Sequence, residues 1–113
     1  MVTPYVPEAG DIVWLQFDPQ AGREQAGDRA ALVLSPASYN RIRGMMICCP
    51  MTSRIKGYPF EVSLGAGFPV RGVILADQLK SFDWRIRRFK FICKADQAAV
   101  RQTRELVAEL LGT

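Results

Sequence analysis

Alternation of apolar and polar residues predicts short strands over the first two thirds of the chain. Residues 12–17 are largely apolar on both alternating faces, which indicates a buried strand. Further strands are predicted at residues 30–35, 45–50, 59–64, 73–76, 78–82 and 88–93. We expect the third strand to end at Pro50, because proline has no N–H to donate to a ladder.

The hydrophobic period changes at the C-terminal end of the chain. Between residues 96 and 111 the apolar residues fall on one helical stripe, which predicts an amphipathic helix ended by Gly112. Val100, Val107 and Leu111 lie on this stripe, and Leu106 and Leu110 lie beside it. Short strands with one terminal helix predict a mainly β fold, a small, strongly curved antiparallel sheet or partial barrel packed by that helix. We expect residues 1–113 to form a single domain.

The amino-acid composition excludes several classes of protein and of active site. Hydrophobic residues make up 49% of the chain and charged residues 23%, which is typical of a folded domain and not of a disordered one. The 15 basic and 11 acidic residues give a net charge of +4, which permits a polyanionic or acidic partner. Because the chain has no histidine, nucleophilic triads and zinc sites that use histidine are excluded.

Cysteine usage and the apolar runs indicate the compartment. Cys48, Cys49 and Cys93 form neither a disulfide framework nor a C-x-x-C motif, so we expect buried thiols in a reducing cytoplasm. Residues 1–10 lack the basic and apolar regions of a signal peptide. The apolar runs are far shorter than the ~20 residues that span a bilayer. The sequence therefore predicts a cytoplasmic protein with no membrane association.

Two polar segments, residues 22–29 and 50–57, leave the predicted sheet at strand ends. If the first two strands form a hairpin with the third alongside, Arg29 comes near Thr52. An arginine with a hydroxyl and a carboxylate suits an anion that gains charge during a reaction. Ordinary solvated loop residues are the alternative interpretation of the same pattern.

A basic and aromatic segment covers residues 80–90. It contains Lys80, Arg85, Arg87, Arg88 and Lys90, interleaved with Phe82, Trp84 and Phe89. Cations attract phosphates and aromatic faces stack on unpaired bases, so the segment suits RNA. In the alternative interpretation, the aromatic residues are core and the cations face solvent. Alternation favours this alternative for Phe89 and Phe91, whereas Trp84 fits either.

A series of blocks between residues 5 and 85 carries a family resemblance. The blocks are GDIVW at 10–14, FDP at 17–19, GREQAGDR at 22–29, ALVLSP at 31–36, YN at 39–40, PMT at 50–52, KGYPFEV at 56–62 and LADQLKS at 75–81. In order and spacing they resemble the MazF-type (PemK-like) toxins. Two positions differ from that family. Asp28 stands where a related toxin carries a basic or imidazole side chain, and Ala30 replaces the usual proline after Arg29.

The resemblance implies the small SH3-like barrel with a helix that this family shares. It also implies the toxin of a type II toxin–antitoxin pair, a homodimeric, sequence-selective, metal-independent endoribonuclease without a cofactor. It places the catalytic residues at Arg29 and Thr52, and a supporting acid at Glu24. The implied partner is a MazE-like antitoxin whose acidic or disordered segment competes for a basic groove.

Metal-free cleavage of single-stranded RNA uses the 2′-hydroxyl of the substrate as nucleophile, which DNA lacks. We expect Arg29 to stabilise the transition state and Thr52 to donate a hydrogen bond to the same phosphate. Glu24 is the first candidate for the general base. The residues expected along the RNA path are Asp28, Ser53, Arg54, Lys56, Arg85 and Arg87.

Two other functions fit the same kind of fold. A non-catalytic RNA-binding module would retain RNA without producing new ends. A gyrase-poisoning toxin would carry a terminal Trp-Gly-Ile tail, whereas this chain ends in Leu110-Leu111-Gly112-Thr113. The endoribonuclease toxin is therefore the preferred interpretation.

Overall fold

The computed structural model describes residues 5–17, 27–86 and 88–113. The strands are β1 (Asp11–Phe17), β2 (Gly27–Val33), β3 (Met45–Thr52), β4 (Glu61–Ser63), β5 (Val73–Leu75), β6 (Lys80–Asp83) and β7 (Phe89–Lys94). The α-helices are α1 (Ala37–Arg43) and α2 (Gln97–Leu110), and a 3-10 turn at Ala76–Gln78 separates β5 from β6. Within these ranges, no helix combines the length and apolar character needed to cross a membrane.

Strand pairing among the described residues is antiparallel throughout, and β3 joins the two parts of the sheet. On one side the order is β3-β2-β1-β7, with β6 paired to the first half of β3. On the other side β5 pairs with the end of β3, and β4 pairs with β5. Since no pairing joins β6 to β7 in the described part of the chain, the curved sheet stays open rather than closing into a barrel. The predicted mainly antiparallel β fold with a C-terminal helix is confirmed.

Two apolar cores lie on opposite faces of the sheet, because side chains alternate along each strand. In β2, Ala30 and Leu32 belong to the first core. Ala31 and Val33 belong to the second. The helix α2 covers the first core, where Ala99 is buried. The second core also contains Val13, Leu15, Met46, Cys48 and Phe82.

The prediction that the third strand ends at Pro50 is wrong, because β3 continues to Thr52. Pro50 still lies opposite Ala31 of β2. The two residues after it change partner and pair with Ile74 and Val73 of β5. A proline removes a single N–H from a ladder, and a strand continues where the next residues find another partner. As a result, Thr52 is held in a strand and not in a loop.

The apolar stripe of α2 is shorter than predicted. Leu110 and Leu111 are 56% and 69% exposed, whereas Val107 is packed against the first core. The helix lies against β4 and the 3-10 turn, each of which is three residues long. This short support does not extend to Leu110 and Leu111 at the C-terminal end of the helix.

A buried carboxylate ties the N-terminal segment to β1 and β7. Asp11 is 1% exposed and accepts hydrogen bonds from the Tyr5 hydroxyl and from the Glu8 N–H, the latter at 3.0 Å. The Lys94 ammonium of β7 forms an ion pair with it at 2.5 Å. Burial, and then the hydrogen bond to Asp11, raise the pKa of Tyr5, so the phenol stays protonated as the donor. The buried charge is thus fully paired, as an apolar setting requires.

Candidate active site

The strands β2 and β3 bring Arg29 and Thr52 to the same end of the sheet. Their antiparallel pairing places Ala31 opposite Pro50. Arg29 precedes Ala31 by two residues. Thr52 follows Pro50 by two residues, and in antiparallel strands both displacements have the same direction. Because side chains alternate with period two, Arg29 and Thr52 both belong to the face that Ala31 and Pro50 share.

Arg29 lies at the rim of the second core. It is half-buried and pairs with Leu15 of β1, which is 0% exposed. Its neighbour Ala30, which stands where the toxins that the sequence resembles usually have proline, is buried in the first core. Packing and strand pairing therefore restrain the backbone at this position. A guanidinium beside such an apolar region acts strongly on a bound anion, because the surrounding polarity is low.

The hydroxyl of Thr52 has a defined orientation. Thr52 is 6% exposed, and its Oγ1 accepts the backbone N–H of Arg54 at 3.1 Å. A hydroxyl has one hydrogen to donate in addition to the lone pairs that accept. With the Arg54 amide on one lone pair, the hydroxyl hydrogen is the part of the group that can serve an anion.

Gly72, the residue before β5, lies directly against the backbone of Thr52. Its φ is +114°, and a Cβ added there would lie 2.1 Å from the Thr52 carbonyl oxygen. A side chain at this position would have to displace Thr52, so glycine is required. The sequence does not reveal this role of Gly72, because a close approach between backbones produces no pattern of apolar residues.

The loop after β3 carries three residues that were predicted to contact RNA, one serine and two basic residues. Ser53, Arg54 and Lys56 are all exposed. The Glu61 carboxylate accepts the N–H of Gly57 at 2.9 Å and the N–H of Lys56 at 3.2 and 3.3 Å. This contact anchors the loop to the start of β4.

Known proteins match this chain over most of its length. A family model described as the PemK-like, MazF-like toxin of type II toxin–antitoxin systems matches residues 8–111. The chain belongs to this family. It is 56% identical over 87 residues to the endoribonuclease toxin MazF of Escherichia coli (strain K12), an alignment that covers 77% of this chain and 78% of that relative.

Solved structures of MazF proteins share the fold of this MazF-type toxin. Crystalline MazF from Deinococcus radiodurans matches with a TM-score of 0.93 at 54% identity, over 97% of this chain and 100% of that chain. A structure of MazE-MazF from the same organism matches with a TM-score of 0.88 at 54% identity, over 97% and 99% of the two chains. The predicted identification as a MazF-type endoribonuclease toxin is confirmed.

In this MazF-type toxin, Arg85 lies far from Thr52 along β3. Asp83 of β6 pairs with Met45 at the start of β3, which extends over about 23 Å to Thr52. The Arg85 guanidinium donates a hydrogen bond to the carbonyl oxygen of Arg41 in α1. The structure therefore groups Arg54 and Lys56 with Thr52, but not Arg85.

Trp84 has a structural role in the toxin. Its indole N–H donates to the carbonyl oxygen of Asn40 at 2.9 Å, and its ring meets Phe89 edge-on, with centroids 6.0 Å apart. The Arg85 guanidinium lies 5.2 Å from its ring centroid.

Phe89 and Phe91 of β7 were both expected to be core residues. The expectation is confirmed for Phe89, which packs against the second core, but it is wrong for Phe91. Phe91 is 40% exposed, because β7 is an edge strand that pairs with β1 alone in the described sheet.

Two of the predicted site residues, Glu24 and Arg87, lie outside the described residues. Asp28 is described and lies exposed on β2, beside Arg29 and opposite Gln16 of β1. The identity of the general base therefore stays a prediction.

The cysteines of the toxin are unsuited to nucleophilic chemistry. All three are free thiols, with Cys48 and Cys49 buried and Cys93 partly buried. Burial raises the pKa of Cys49 to about 12 and shifts the pKa of Cys48 and of Cys93 in the same direction. These groups stay protonated at neutral pH, and a thiol is a poor nucleophile in that form.

Asp77, in the 3-10 turn, is an acid to which the sequence-based reasoning assigned no role. Desolvation raises the pKa of this largely exposed carboxyl group, a backbone hydrogen bond lowers it in part, and the nearby Glu61 carboxylate adds a smaller rise. A raised pKa brings a carboxyl group closer to the range useful for proton transfer at neutral pH.

Within residues 5–17, 27–86 and 88–113, no three His, Cys, Asp or Glu side chains come together as a metal site would require.

Substitution of Gly72 by alanine is expected to reduce both stability and cleavage. Positive φ costs an L-residue roughly 1–2 kcal/mol, and the added methyl group must also displace the Thr52 carbonyl group. A displacement of about 1 Å at a catalytic group can slow a reaction by about 10²-fold. Single-turnover cleavage and urea unfolding measure the two effects.

Gly67→Ala is the matched control for this prediction. Gly67 also has a positive φ, +90°, but a Cβ added there meets no atom within 4 Å. We expect Gly67→Ala to lower the free energy of unfolding while leaving the cleavage rate unchanged. Equal cleavage rates in the two variants would show that Gly72 does not position Thr52.

Proposed function

We propose that this toxin cleaves single-stranded RNA without a metal ion, by attack of the substrate's own 2′-hydroxyl on the adjacent phosphorus. The 5′-oxygen leaves, so the products carry a 2′,3′-cyclic phosphate and a 5′-hydroxyl. Endoribonuclease action itself is the class of its family. The observation that carries the proposal is the position of Arg29 and Thr52 at the same end of adjacent strands, on one face.

In this mechanism Arg29 and Thr52 act on one phosphate. Negative charge grows on the non-bridging oxygens during attack, and a guanidinium can donate two parallel hydrogen bonds to them. The apolar surroundings of Leu15 strengthen this interaction. The Thr52 hydroxyl donates to the same group while its oxygen accepts the Arg54 amide. Glu24 is the proposed base that takes the proton of the 2′-hydroxyl.

The RNA backbone follows the exposed loop that leaves the site. Positive charge gives affinity that does not depend on sequence, and contacts to base edges select the cut site. The residues assigned to this path are Asp28, Ser53, Arg54, Lys56, Arg85 and Arg87. Arg85 extends the path toward the opposite end of β3, about 23 Å from Thr52.

The toxin is further proposed to form a homodimer in the cytoplasm and to bind a MazE-like antitoxin. A crystal structure of its Deinococcus radiodurans relative contains MazE with MazF. The net charge of +4 suits an acidic antitoxin segment. Ile42 and Ile86 are 80% and 81% exposed, and apolar side chains of this kind are what a second copy would cover. Three free thiols suit a reducing compartment.

Cleavage is expected to be unaffected by EDTA and abolished by one 2′-deoxy nucleotide at the cut position. The first result follows because Arg29, and not a metal, carries the charge; the second follows because the nucleophile is missing. A long RNA is incubated with the purified protein and EDTA, and its fragment ends are mapped. A 5′-hydroxyl end accepts phosphate from a polynucleotide kinase without prior dephosphorylation.

Two outcomes would contradict the mechanism. Loss of activity in EDTA would require a metal ion, and cleavage of the 2′-deoxy substrate would require a different nucleophile. Retention of labelled RNA without new ends would instead favour a non-catalytic binding module.

A further inference from the structure

The loop that follows Thr52 presents two stacked aromatic rings. Tyr58 and Phe60 have ring centroids 5.2 Å apart at an interplanar angle of 30°. Tyr58 is 49% exposed, and the Lys56 ammonium lies over its ring, 6.0 Å from the centroid. Neither ring belongs to the two apolar cores. The need to fill the protein interior therefore does not explain this pair.

Backbone contacts hold Tyr58 on both sides. The N–H of Glu61 donates to the Tyr58 carbonyl oxygen at 3.1 Å, which closes a tight turn. The Glu61 carboxylate accepts the amides of Lys56 and Gly57 immediately before it. Gly57 adopts a φ of +80°, which lets the chain turn between them. An aromatic side chain on such a rigid turn binds at a small entropic cost.

The aromatic turn lies beside the proposed catalytic residues. Glu61 begins β4 and pairs with Leu75 of β5, while Val73 of β5 pairs with Thr52. Two strand spacings separate β4 from β3, a lateral distance of about 10 Å. A single strand of RNA with its scissile phosphate at Thr52 reaches this turn within a few nucleotides.

We propose that Tyr58 stacks against an unpaired base of the RNA, with Phe60 packed against the ring. The base takes the place of the Lys56 ammonium over the Tyr58 ring, and Lys56 then contacts a neighbouring phosphate. The inference rests on the proposed function and adds a base-binding subsite to it. Every base has a π-face, so stacking of this kind contributes affinity without selecting one base. The Lys56 ammonium supplies the charge that a phosphate next to a stacked base requires.

Replacement of Tyr58 by leucine is expected to weaken RNA binding by about 5- to 150-fold, the range for loss of one aromatic stack. The ligand is a fluorescent oligoribonucleotide with one 2′-deoxy nucleotide at the mapped cut position, and fluorescence anisotropy gives its Kd. Tyr58→Phe and Tyr58→Trp keep an aromatic ring and should bind about as tightly as the unchanged protein. Ile55→Ala is the matched control, because Ile55 is 64% exposed in the same loop but is not aromatic.

An abasic scan separates stacking from a general effect on the loop. One nucleotide at a time is replaced by an abasic residue, and each oligonucleotide is bound to the unchanged protein and to Tyr58→Leu. At the stacked position, removal of the base should weaken RNA binding by the unchanged protein. The same removal should not weaken RNA binding by Tyr58→Leu any further. A Tyr58→Leu variant that binds like the unchanged protein overturns the proposal, as does a deficit of the same size at every abasic position.

The two proposals fail in different ways. If the unchanged protein produces no 5′-hydroxyl ends, the cleavage mechanism is wrong, and the comparison of Tyr58 variants is made with the unmodified RNA. If cleavage is normal but leucine, phenylalanine and tryptophan at position 58 bind RNA equally, the base-stacking subsite is wrong. Thermal unfolding of each variant shows whether the fold is intact. If Tyr58→Leu does not fold, the abasic scan is made with the unchanged protein and Tyr58→Trp. Both should lose affinity at the same abasic position, and a loss of the same size at every position overturns the proposal.

Discussion

Arg29→Ala is expected to slow RNA cleavage by at least about 10²–10³-fold under single-turnover conditions, the loss typical of one preorganised donor. The guanidinium offers two donors in a fixed geometry, and a phosphate gains charge as the 2′-hydroxyl attacks. Arg29 is half-buried beside Leu15, so water does not replace the lost side chain with an equally oriented group.

Arg29→Lys tests whether charge alone is sufficient. Lysine keeps the positive charge but not the planar pair of donors, so we expect it to recover a small part of the lost rate. Binding of the 2′-deoxy oligonucleotide should fall much less than the rate, because most of the assigned interaction forms in the transition state. Near-normal cleavage by Arg29→Ala would remove Arg29 from the active site.

Thr52→Val is expected to reduce the cleavage rate by about 10²-fold, because it removes a donor from the phosphate while keeping the shape of the side chain. The substitution also leaves the Arg54 amide without its acceptor at 3.1 Å, which loosens the start of the loop. Thr52→Ser retains both the donor and the acceptor, so it should cleave within a few-fold of the unchanged protein.

Ser53→Ala distinguishes the two neighbouring hydroxyls. Thr52 is buried at the end of β3, whereas Ser53 is exposed in the loop, and we expect Ser53→Ala to retain cleavage. The rates of Thr52→Val and Ser53→Ala, measured on the same RNA, decide which residue is the donor. A larger loss for Ser53→Ala would reverse the assignment.

Strand positions were predictable from the sequence where alternation is uninterrupted. Residues 12–17 and 88–93 correspond closely to β1 and β7, because the short apolar run of the first and the alternating pattern of the second are both typical of strands. The end of β3 was not predictable, since its continuation past Pro50 depends on β5, a partner more than 20 residues away in sequence. Exposure of Phe91 similarly depends on β7 being an edge strand, which a local pattern does not reveal.

Site residues were accessible to sequence reasoning only in part. The proximity of Arg29 and Thr52 follows from a simple hairpin with a third strand beside it, and that arrangement is present. The roles of Gly72 and Trp84 could not be predicted from the sequence. The role of Gly72 depends on a close approach between the backbones of two strands, and that of Trp84 on a hydrogen bond to Asn40, 44 residues away. Such contacts exist only after the chain has folded.

The central claim is that Arg29 and Thr52 act on the same scissile phosphate, and a double-mutant cycle tests it most directly. Single-turnover cleavage rates are measured for the unchanged protein, Arg29→Ala, Thr52→Val and the double variant. Residues that act as a unit give strongly non-additive losses, so we expect the double variant to be little slower than Arg29→Ala alone. A loss in the double variant equal to the product of the two single losses would contradict the account, because it would mean that the two residues act independently.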